Sequence, residues 1–421
     1  MPLKVLFLSI VNSVGSERAV AALGRLGVTC AVLAPPGSYP SLTRFAVRRF
    51  RLPPYRGLLR LGLLTARTRL HAAAKDFQPD RIVPLDDLSA KFLCGIALDP
   101  SVSQPLRTIV AKSLGSAEGF TAACGRHSSM ELAARLGLRT PGQHAVLDSV
   151  VARKLASACN YPVILKREHS GGGDGVAIAR NPLELDAAFD AAQARDTRRN
   201  ALIARAGRRL LWHWAGLPFS PDAPLLLQRY IQGVPAMHAL TASEGRVLQG
   251  VSFVAERTHP GPTGPSTVVR HIEHPEMAET AARLIEALGC SGMMSFDFVL
   301  DPTESHAYLI EVNPRPIAVG SLGSLFGHDI YGAFVAELRG MQASPEASPT
   351  ETRPVALFPK ELERDPQELS ERVASGELFH DVPWDDPAVV SAYTDHLARL
   401  HPAQMETVRQ VLRKSRETGD H

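Results

Sequence analysis

The sequence contains little of what marks a disulfide-rich, zinc-binding or membrane-spanning protein. Its five cysteines are odd in number and far apart, and they form no CxxC motif and no Cys/His cluster with zinc spacing. No apolar run approaches the ~18 residues that a membrane-spanning helix requires. We therefore expect reduced, mostly structural cysteines and no membrane partner.

The chain also lacks a strong charge of either sign. Its 46 Lys and Arg residues face 43 Asp and Glu residues, which gives a formal charge of +3. An excess this small and this scattered does not predict a nucleic acid partner. At 45% hydrophobic and 21% charged residues, the 421-residue chain has a globular composition and a length typical of two or three domains. A small molecule is the expected partner.

The N-terminus begins with an apolar stretch that could imitate a signal peptide. The stretch Val5–Val11 ends at Asn12 and Ser13, and no convincing small-residue cleavage site follows it. A buried first strand explains the same residues. We therefore expect a cytoplasmic protein.

The first 115 residues have the pattern of a small, doubly wound α/β domain. A predicted strand at Val5–Val11, a helix at Glu17–Leu26 and a strand at Val28–Leu33 form a parallel βαβ unit. The loop that carries Gly15 lacks GxGxxG spacing, which argues against a dinucleotide site. A later apolar strand ends in Asp86 and Asp87, which we interpret as helix caps rather than ligands.

A glycine-dense loop between two predicted strands has the hairpin form of a phosphate-binding loop. The strand Tyr161–Lys166 ends in a lysine, and Gly171–Gly175 precedes the strand Val176–Ala179. A Walker loop would instead read GxxxxGK[ST] and continue into a helix. Glycines allow backbone N–H groups to approach phosphate oxygens, and the lysine adds a charge. A flexible hairpin tip has the same pattern, so both alternatives stay open.

An apolar segment further along, Leu225–Ile231, is interrupted by one polar residue, Gln228. Such a strand can hold an adenine between apolar walls while polar groups contact the edge of the ring. An interior strand with one hydrogen-bonded side chain explains the same pattern equally well.

The strongest pattern is a hairpin with polar residues on one face. Two apolar strands, Met293–Leu300 and Ala307–Arg315, are joined by a short polar turn. Side chains alternate along a strand, so one face of the second strand can meet Asp297 across the hairpin; that face carries Glu311, Asn313 and Arg315. Gathered acids repel one another unless a cation lies between them, and hard oxygen ligands suit Mg²⁺. An exposed hairpin fits poorly because the surrounding residues are apolar.

These residues together resemble the ATP-grasp superfamily of ATP-dependent ligases, over about Arg126 to Ala336. The most specific match is Glu311-Val-Asn313-Pro-Arg315, which fits the superfamily's E-x-N-x-R motif. The resemblance implies ATP and Mg²⁺, or Mn²⁺, as cofactors. It implies that the metal ligands are Asp297, Glu311 and Asn313.

The same resemblance implies roles in nucleotide binding. Lys166 would reach the phosphates, and a lid over them would consist of Gly171, Gly172, Gly173 and Gly175. The hinge that holds adenine would include Gln228, Tyr230 and Ile231. The sequence departs from the family in two places: Arg126 stands where a lysine is common, and Gln228 where a glutamate is frequent. Both replacements keep the required charge or hydrogen-bonding group.

The resemblance also implies the organisation of the chain. We expect an N-terminal α/β domain at 1–115 and an ATP-grasp domain at 116–340, in which two α+β subdomains clasp ATP. A Pro/Ser-rich segment predicts a linker at 341–354, and 355–421 forms a C-terminal extension with a strand at Val355–Phe358 and one helix over 387–417. The extension could pack on the ligase domain, carry a homodimer contact or complete a substrate pocket.

The implied activity is ATP-dependent ligation of a small-molecule carboxylate to an amine through an acyl phosphate. Lys166 and Arg315 would face oxygens that gain negative charge. Arg257 is a candidate carboxylate anchor, although a surface arginine is equally consistent. A phosphotransferase and a non-catalytic ATP-binding module stay open as alternatives. Biotin carboxylase is set aside because no Gln-Val-Glu-His run follows Arg315.

Three histidines in the same region lack metal-binding spacing. We interpret His259, His271 and His274 as loop or surface residues.

Overall fold

The computed structural model describes residues 2–55, 61–169, 175–197, 209–220, 222–303, 306–342 and 347–417. Its strands are β1 Lys4–Leu8, β2 Thr29–Ala34, β3 Ala46–Arg51, β4 Arg81–Pro84, β5 Gln143–Val146, β6 Val163–Arg167, β7 Val176–Ala179, β8 Leu225–Arg229, β9 Val234–Ser243, β10 Arg246–Thr258, β11 Ser266–Ile272, β12 Gly292–Leu300, β13 Ala307–Asn313, β14 Val355–Ala356 and β15 Phe379–His380.

The α-helices are α1 Glu17–Arg25, α2 Tyr39–Leu42, α3 Leu61–Phe77, α4 Asp87–Leu98, α5 Gln104–Leu114, α6 Ala117–Ala123, α7 Arg126–Arg135, α8 Ser149–Cys159, α9 Pro182–Thr197, α10 Pro275–Leu288, α11 Ile330–Leu338, α12 Lys360–Arg364, α13 Pro366–Ala374, α14 Pro387–Leu400 and α15 Met405–Glu417. Short 3-10 helices span Ala318–Phe326 and Pro402–Gln404. None of these described helices combines the length and the apolar character needed to cross a membrane.

The N-terminal sheet is parallel, with strand order β3-β2-β1-β4. The central strand β1 is buried on both faces. Leu6 and Leu8 pack in the core that contains α3 to α5, and Val5 and Phe7 pack in the core that contains α1. This alternation explains the continuous apolar run in the sequence. The predicted parallel βαβ arrangement is confirmed.

A second, antiparallel sheet has the order β5-β8-β6-β7. One face packs on α8 and α9 through Val163, Leu165 and Leu227. Because neighbouring residues of a strand point to opposite faces, Lys166 and Gln228 lie on the other face. The sheet therefore presents polar side chains on the face that its helices leave uncovered.

The third sheet has seven strands in the order β13-β12-β9-β10-β11-β14-β15. Helix α10 covers one face, and the 3-10 helix at Ala318–Phe326 and α11 cover the other. Residues from the C-terminal part extend this sheet, because Val355 and Ala356 pair with β11. The C-terminal part also contacts the N-terminal domain, where the Tyr393 hydroxyl donates to Glu17 Oε2 at 2.9 Å. Of the alternatives for the C-terminal extension, the structure shows packing on the rest of the chain.

The helix predicted over 387–417 is divided in two, and that prediction is wrong. Helix α14 ends at Leu400, and α15 begins at Met405. Pro402 lacks a backbone N–H and disfavours helical geometry in the residue before it, and His401 accordingly has φ −133° and ψ 60°. The proline between two apolar segments was the signal for this break.

Candidate active site

The two predicted acidic metal ligands face each other on adjacent strands. The register of β12 and β13 pairs Asp297 directly with Glu311. Asn313, two residues further on the same face, donates from Nδ2 to Asp297 Oδ2 at 3.0 Å. Burial, and then the charge of Glu311, raise the pKa of Asp297 above its usual range. A cation between the carboxylates would offset both effects.

Arg126 occupies one side of this carboxylate pair. It is the first residue of α7, and its Nε donates to Glu311 Oε1 at 2.9 Å. Its Nη1 donates to the backbone carbonyl of Arg167 at 2.6 Å. Arg126 therefore connects the hairpin of β12 and β13, which carries the predicted metal ligands, to the end of β6.

Lys166 is buried near the same carboxylates. Burial, with a smaller contribution from Arg126, lowers the pKa of its amine to about 8, although Glu311 and Asp297 act to raise it. In the part of the chain that the structure describes, no hydrogen bond to the ammonium is recorded. A buried ammonium without a hydrogen-bond acceptor can bind an anionic oxygen such as that of a phosphate.

Gln228 is buried, and neither atom of its side-chain amide has a hydrogen-bond partner among the described residues. The Oε1 atom of Gln143, which is paired with Gln228 across the sheet, is also without a partner. Buried amide groups of this kind are costly unless they are satisfied, so they fit a polar ring edge such as that of adenine.

The residues after Gln228 connect two sheets. Strand β8 ends at Arg229, and Tyr230 and Ile231 lead from the four-stranded sheet to β9 of the seven-stranded sheet. Both side chains are partly buried. The predicted strand is therefore shorter than expected, and its last two residues lie in the connection between the sheets.

Arg315 forms an ion pair that the sequence analysis missed. Its Nε donates to Asp87 Oδ1 at 2.6 Å, and its Nη2 donates to Asp87 Oδ2 at 3.3 Å. Burial acts to raise the pKa of Asp87, but the charge and hydrogen bonds of Arg315, together with the charges of Lys91 and Arg126, lower it below its usual value. Asp87 is thus the orienting partner of Arg315, and its prediction as a helix cap is wrong.

Asp86, in contrast, is the N-cap of α4, as predicted. Its Oδ1 accepts from the backbone N–H of Ser89 at 2.9 Å. Its Oδ2 accepts from the backbone N–H of Ile10 at 2.8 Å. The two adjacent aspartates therefore have different roles: Asp86 caps the helix, and Asp87 pairs with Arg315. The only sequence signal for this difference is the start of the helix, which falls between them.

Two further lysines lie near the site without belonging to any motif. The Nζ atom of Lys91 lies 2.8 Å from Nδ1 of His169. Lys360 begins α12, and burial lowers the pKa of its amine to about 8, with Arg315 acting in the same direction and Glu363 against it. The chain beyond residue 355 therefore brings a cation to the vicinity of Arg315.

Arg257 does not join the carboxylate cluster. It lies near the end of β10, where its guanidinium forms ion pairs with Glu368 and Glu361. It is four residues from Phe253, the β10 residue in the same cross-strand row as Asp297, which corresponds to about 13 Å along the strand. Its role as a carboxylate anchor stays a prediction.

The predicted glycine lid is only partly within the described residues. Gly171, Gly172 and Gly173 lie outside them. Gly175 is described, has φ +76°, and accepts a hydrogen bond at its carbonyl from the backbone N–H of Arg167 at 3.1 Å. A positive φ of this size favours glycine.

Two protein-family models match the chain. Residues 125–205 match the ATP-binding domain of the carbamoyl-phosphate synthase L chain, and residues 207–319 match an ATP-grasp domain. The carbamoyl phosphate synthase large chain of Agathobacter rectalis is 24% identical over 223 residues, which cover 51% of this chain and 18% of that protein. The formate-dependent phosphoribosylglycinamide formyltransferase of Synechococcus elongatus is 27% identical over 252 residues, which cover 60% of this chain and 57% of the relative. The chain thus spans less than two thirds of either relative.

A solved structure shows the same fold. The biotin carboxylase domain of 2-oxoglutarate carboxylase from Hydrogenobacter thermophilus, crystallised as a dimer with MgADP, ADP and bicarbonate, superimposes with a TM-score of 0.58 at 18% identity. The match covers 82% of this chain and 71% of that domain. The chain therefore has an ATP-grasp fold preceded by a parallel α/β domain. The fold class and the resemblance to the ATP-grasp superfamily are confirmed.

Proposed function

We propose that this protein is an ATP- and Mg²⁺-dependent ligase that joins a small-molecule carboxylate to an amine through an acyl phosphate. The observation that carries the proposal is the partly buried pair of Asp297 and Glu311, with the buried ammonium of Lys166 close enough to feel the charge of both. The carboxylates can bind a divalent cation, and the ammonium can bind a polyphosphate next to it. The ATP-grasp relatives and the MgADP-bound neighbour support the same cofactors.

Three side chains fit a divalent cation. Asp297 and Glu311 offer carboxylate oxygens and Asn313 an amide oxygen, which is the hard-oxygen set that Mg²⁺ prefers. Burial and the charge of Glu311 raise the pKa of Asp297, and a divalent cation between the two carboxylates would offset both effects. When bound, Mg²⁺ supplies charge neutralisation for the triphosphate, and Mn²⁺ should substitute for it.

The nucleotide would lie between the two antiparallel sheets. Gln228 would pair with the adenine edge, and Tyr230 and Ile231 would border the ring. Arg126 and Lys166 would contact phosphate oxygens, with the lid of Gly171, Gly172, Gly173 and Gly175 above them. The unpaired amide of Gln228 and the buried amine of Lys166 lie on the same face of the four-stranded sheet, which supports this orientation.

In the first step, a carboxylate oxygen of the substrate attacks the γ-phosphorus. The bond from the γ-phosphorus to the bridging oxygen breaks, and ADP leaves with the electron pair. In the second step, the amine attacks the acyl carbon, the bond to phosphate breaks, and the amine nitrogen loses a proton to solvent. Lys166 would stabilise charge on the phosphoryl oxygens, and Arg315 and Lys360 would attract the acidic substrate.

One experiment separates this proposal from its alternatives. The protein is incubated with ATP, Mg²⁺ and a panel of carboxylates and amines, and phosphate release and product masses are measured. A ligase releases phosphate and forms a new amide only when both substrates are present. Phosphate transfer to a single acceptor would show a phosphotransferase, and nucleotide binding without turnover would show a binding module; either result overturns the proposal.

We also propose a cytoplasmic homodimer. The dimer of the Hydrogenobacter thermophilus domain supports the oligomeric state. The five cysteines, odd in number and far apart in the sequence, are consistent with a reducing compartment. Light scattering of the purified protein tests the dimer, and a monomer at micromolar concentration would reject it.

A further inference from the structure

Three side chains with metal-ligating atoms converge at the end of β11, apart from the candidate nucleotide site. Glu273 Oε1 lies 3.4 Å from His271 Nε2 and 3.0 Å from His328 Nε2. One ligand atom from each residue lies within 4.8 Å of the other two. The interpretation of His271 as a loop or surface residue is wrong. His271 lies on β11 and is largely buried.

This cluster is distinct from the pair of Asp297 and Glu311. The strand registers place His271 in the same cross-strand row as Asp297, with Met237 and Phe253 between them. Three strand spacings of about 4.8 Å separate the two residues by roughly 14 Å. The apolar side chains between them keep the two polar sites separate.

The geometry is close to that of a zinc site. Zinc–nitrogen and zinc–oxygen bonds of about 2.1 Å in a tetrahedral site place neighbouring ligand atoms roughly 3.4 Å apart. Both measured distances to Glu273 are near this value. Glu273 is 75% exposed, so its carboxylate can adjust to an ion, whereas the two imidazoles are held by packing. His271 stacks on Phe326 with ring centroids 4.9 Å apart.

The chemical state of His271 also suits metal binding. Its Nε2 is buried and has no hydrogen-bond partner among the described residues. A neutral imidazole with an unsatisfied ring nitrogen is the form that binds transition metals.

The cluster opens on a pocket of about 430 Å³. The two other histidines of its wall already have partners, since His238 Nδ1 is 2.8 Å from Ser252 Oγ and His274 caps α10. The pocket thus leaves room for water or a small ligand to complete the coordination of an ion. We propose that His271, Glu273 and His328 form a second metal site that binds Zn²⁺ or a similar transition-metal ion. The inference does not depend on the proposed ligase activity.

The test is metal binding by the full-length protein after removal of metals with EDTA. Calorimetry with Zn²⁺ in excess Mg²⁺ should show one tight equivalent, and Co²⁺ should give the visible absorption bands of a tetrahedral or five-coordinate site. His328→Gln and Glu273→Gln should each weaken Zn²⁺ binding at least about tenfold. Glu273 is exposed, so its substitution should leave the fold intact.

Two matched controls accompany these variants. Glu279→Gln changes another carboxylate of the same pocket and should bind Zn²⁺ like the parent. Asp297→Asn removes a predicted Mg²⁺ ligand and should keep the Zn²⁺ equivalent. Circular dichroism of the metal-free variants checks that each is folded. Absence of a stoichiometric equivalent, or unchanged affinity in Glu273→Gln and His328→Gln, would overturn the second site.

Discussion

Two nitrogens of the Arg126 guanidinium contact the same oxygen of Glu311, with Nε at 2.9 Å and Nη2 at 2.7 Å from Oε1. A predicted metal ligand is therefore paired with a predicted phosphate ligand. The arrangement links the two functions, because a cation that binds Glu311 would replace part of the charge that Arg126 now supplies, leaving the guanidinium to contact phosphate.

Glu311→Gln should reduce Mg²⁺-dependent ATP turnover by about 100-fold or more, because the variant keeps the side-chain shape but loses the charge that binds the cation. Turnover is measured by phosphate release across a Mg²⁺ titration. Glu256→Gln, which alters an ion pair with Arg270 elsewhere on β10, is the control and should behave like the parent. Unchanged turnover in the Glu311 variant would remove this residue from the metal site.

Lys166→Met should stabilise the protein at pH 7, and the gain should shrink toward pH 10. The amine has a pKa of about 8 in the folded protein, lowered mainly by burial, and about 10.5 in the unfolded chain. Between these values the unfolded chain binds more protons, so unfolding becomes less favourable as pH rises. Below pH 8 the charged amine therefore lowers the free energy of unfolding by its full amount, which is about 3 kcal/mol at most.

Urea unfolding of the parent and of Lys166→Met at pH 7 and pH 9.5 measures this effect. Lys154→Met, at an exposed position on α8, is the control and should show no such pH dependence. An equal stability difference at both pH values would contradict the assignment of the shifted pKa to Lys166.

Asp87→Asn should lower the turnover of ATP by about tenfold, because Arg315 loses the carboxylate that fixes its orientation. Losing one partner of a partly buried charge pair should also cost about 2 kcal/mol or more in unfolding free energy. Steady-state kinetics and urea unfolding measure the two effects. Asp76→Asn, which changes an exposed ion pair with Arg48 in the same domain, should alter neither quantity appreciably.

If Asp87→Asn lost stability but kept its activity, Arg315 would have a structural role only. Turnover of the variant Asp87→Glu distinguishes the effect of charge from the effect of geometry, because glutamate keeps the negative charge but places it at a different distance from Arg315. Partial recovery of turnover is the expected result for a positioning role.

Lys360→Ala should raise the KM for the acidic substrate about tenfold and leave the KM for ATP nearly unchanged. The reason is that Lys360 lies close enough to Arg315 for the two charges to interact, and Arg315 is a predicted substrate contact rather than part of the predicted adenine site. Initial rates at varied substrate and ATP concentrations give both constants. Lys414→Ala, in the same C-terminal part of the chain, is the control. An increase confined to the KM for ATP would reject this assignment.

The hairpin of Asp297 and Glu311 could be predicted because its information is local. Side chains alternate between the two faces of each strand, and a short turn joins the strands. These two features bring Asp297 and Glu311 together without any contribution from distant parts of the chain. The same holds for the parallel sheet at the N-terminus, where apolar strands and helices alternate.

The ion pair of Asp87 with Arg315 could not be predicted in this way. Its partners belong to separate domains, and their contact depends on how those domains pack. The cluster of His271 and His328 has the same origin, since the 3-10 helix that precedes His328 has to pack on β10 before the two rings can meet. Motif spacing along one sequence carries no information on such contacts.

The addition of β14 to β11 has a practical consequence for handling this protein. Without Val355 and Ala356, the edge of the seven-stranded sheet would present free backbone donors and acceptors next to the apolar residues Val268 and Val269. An open edge of this kind recruits strands from other molecules. A shortened protein that stops at the Pro/Ser-rich segment should therefore aggregate, although that segment is where a composition-based division of the chain would cut.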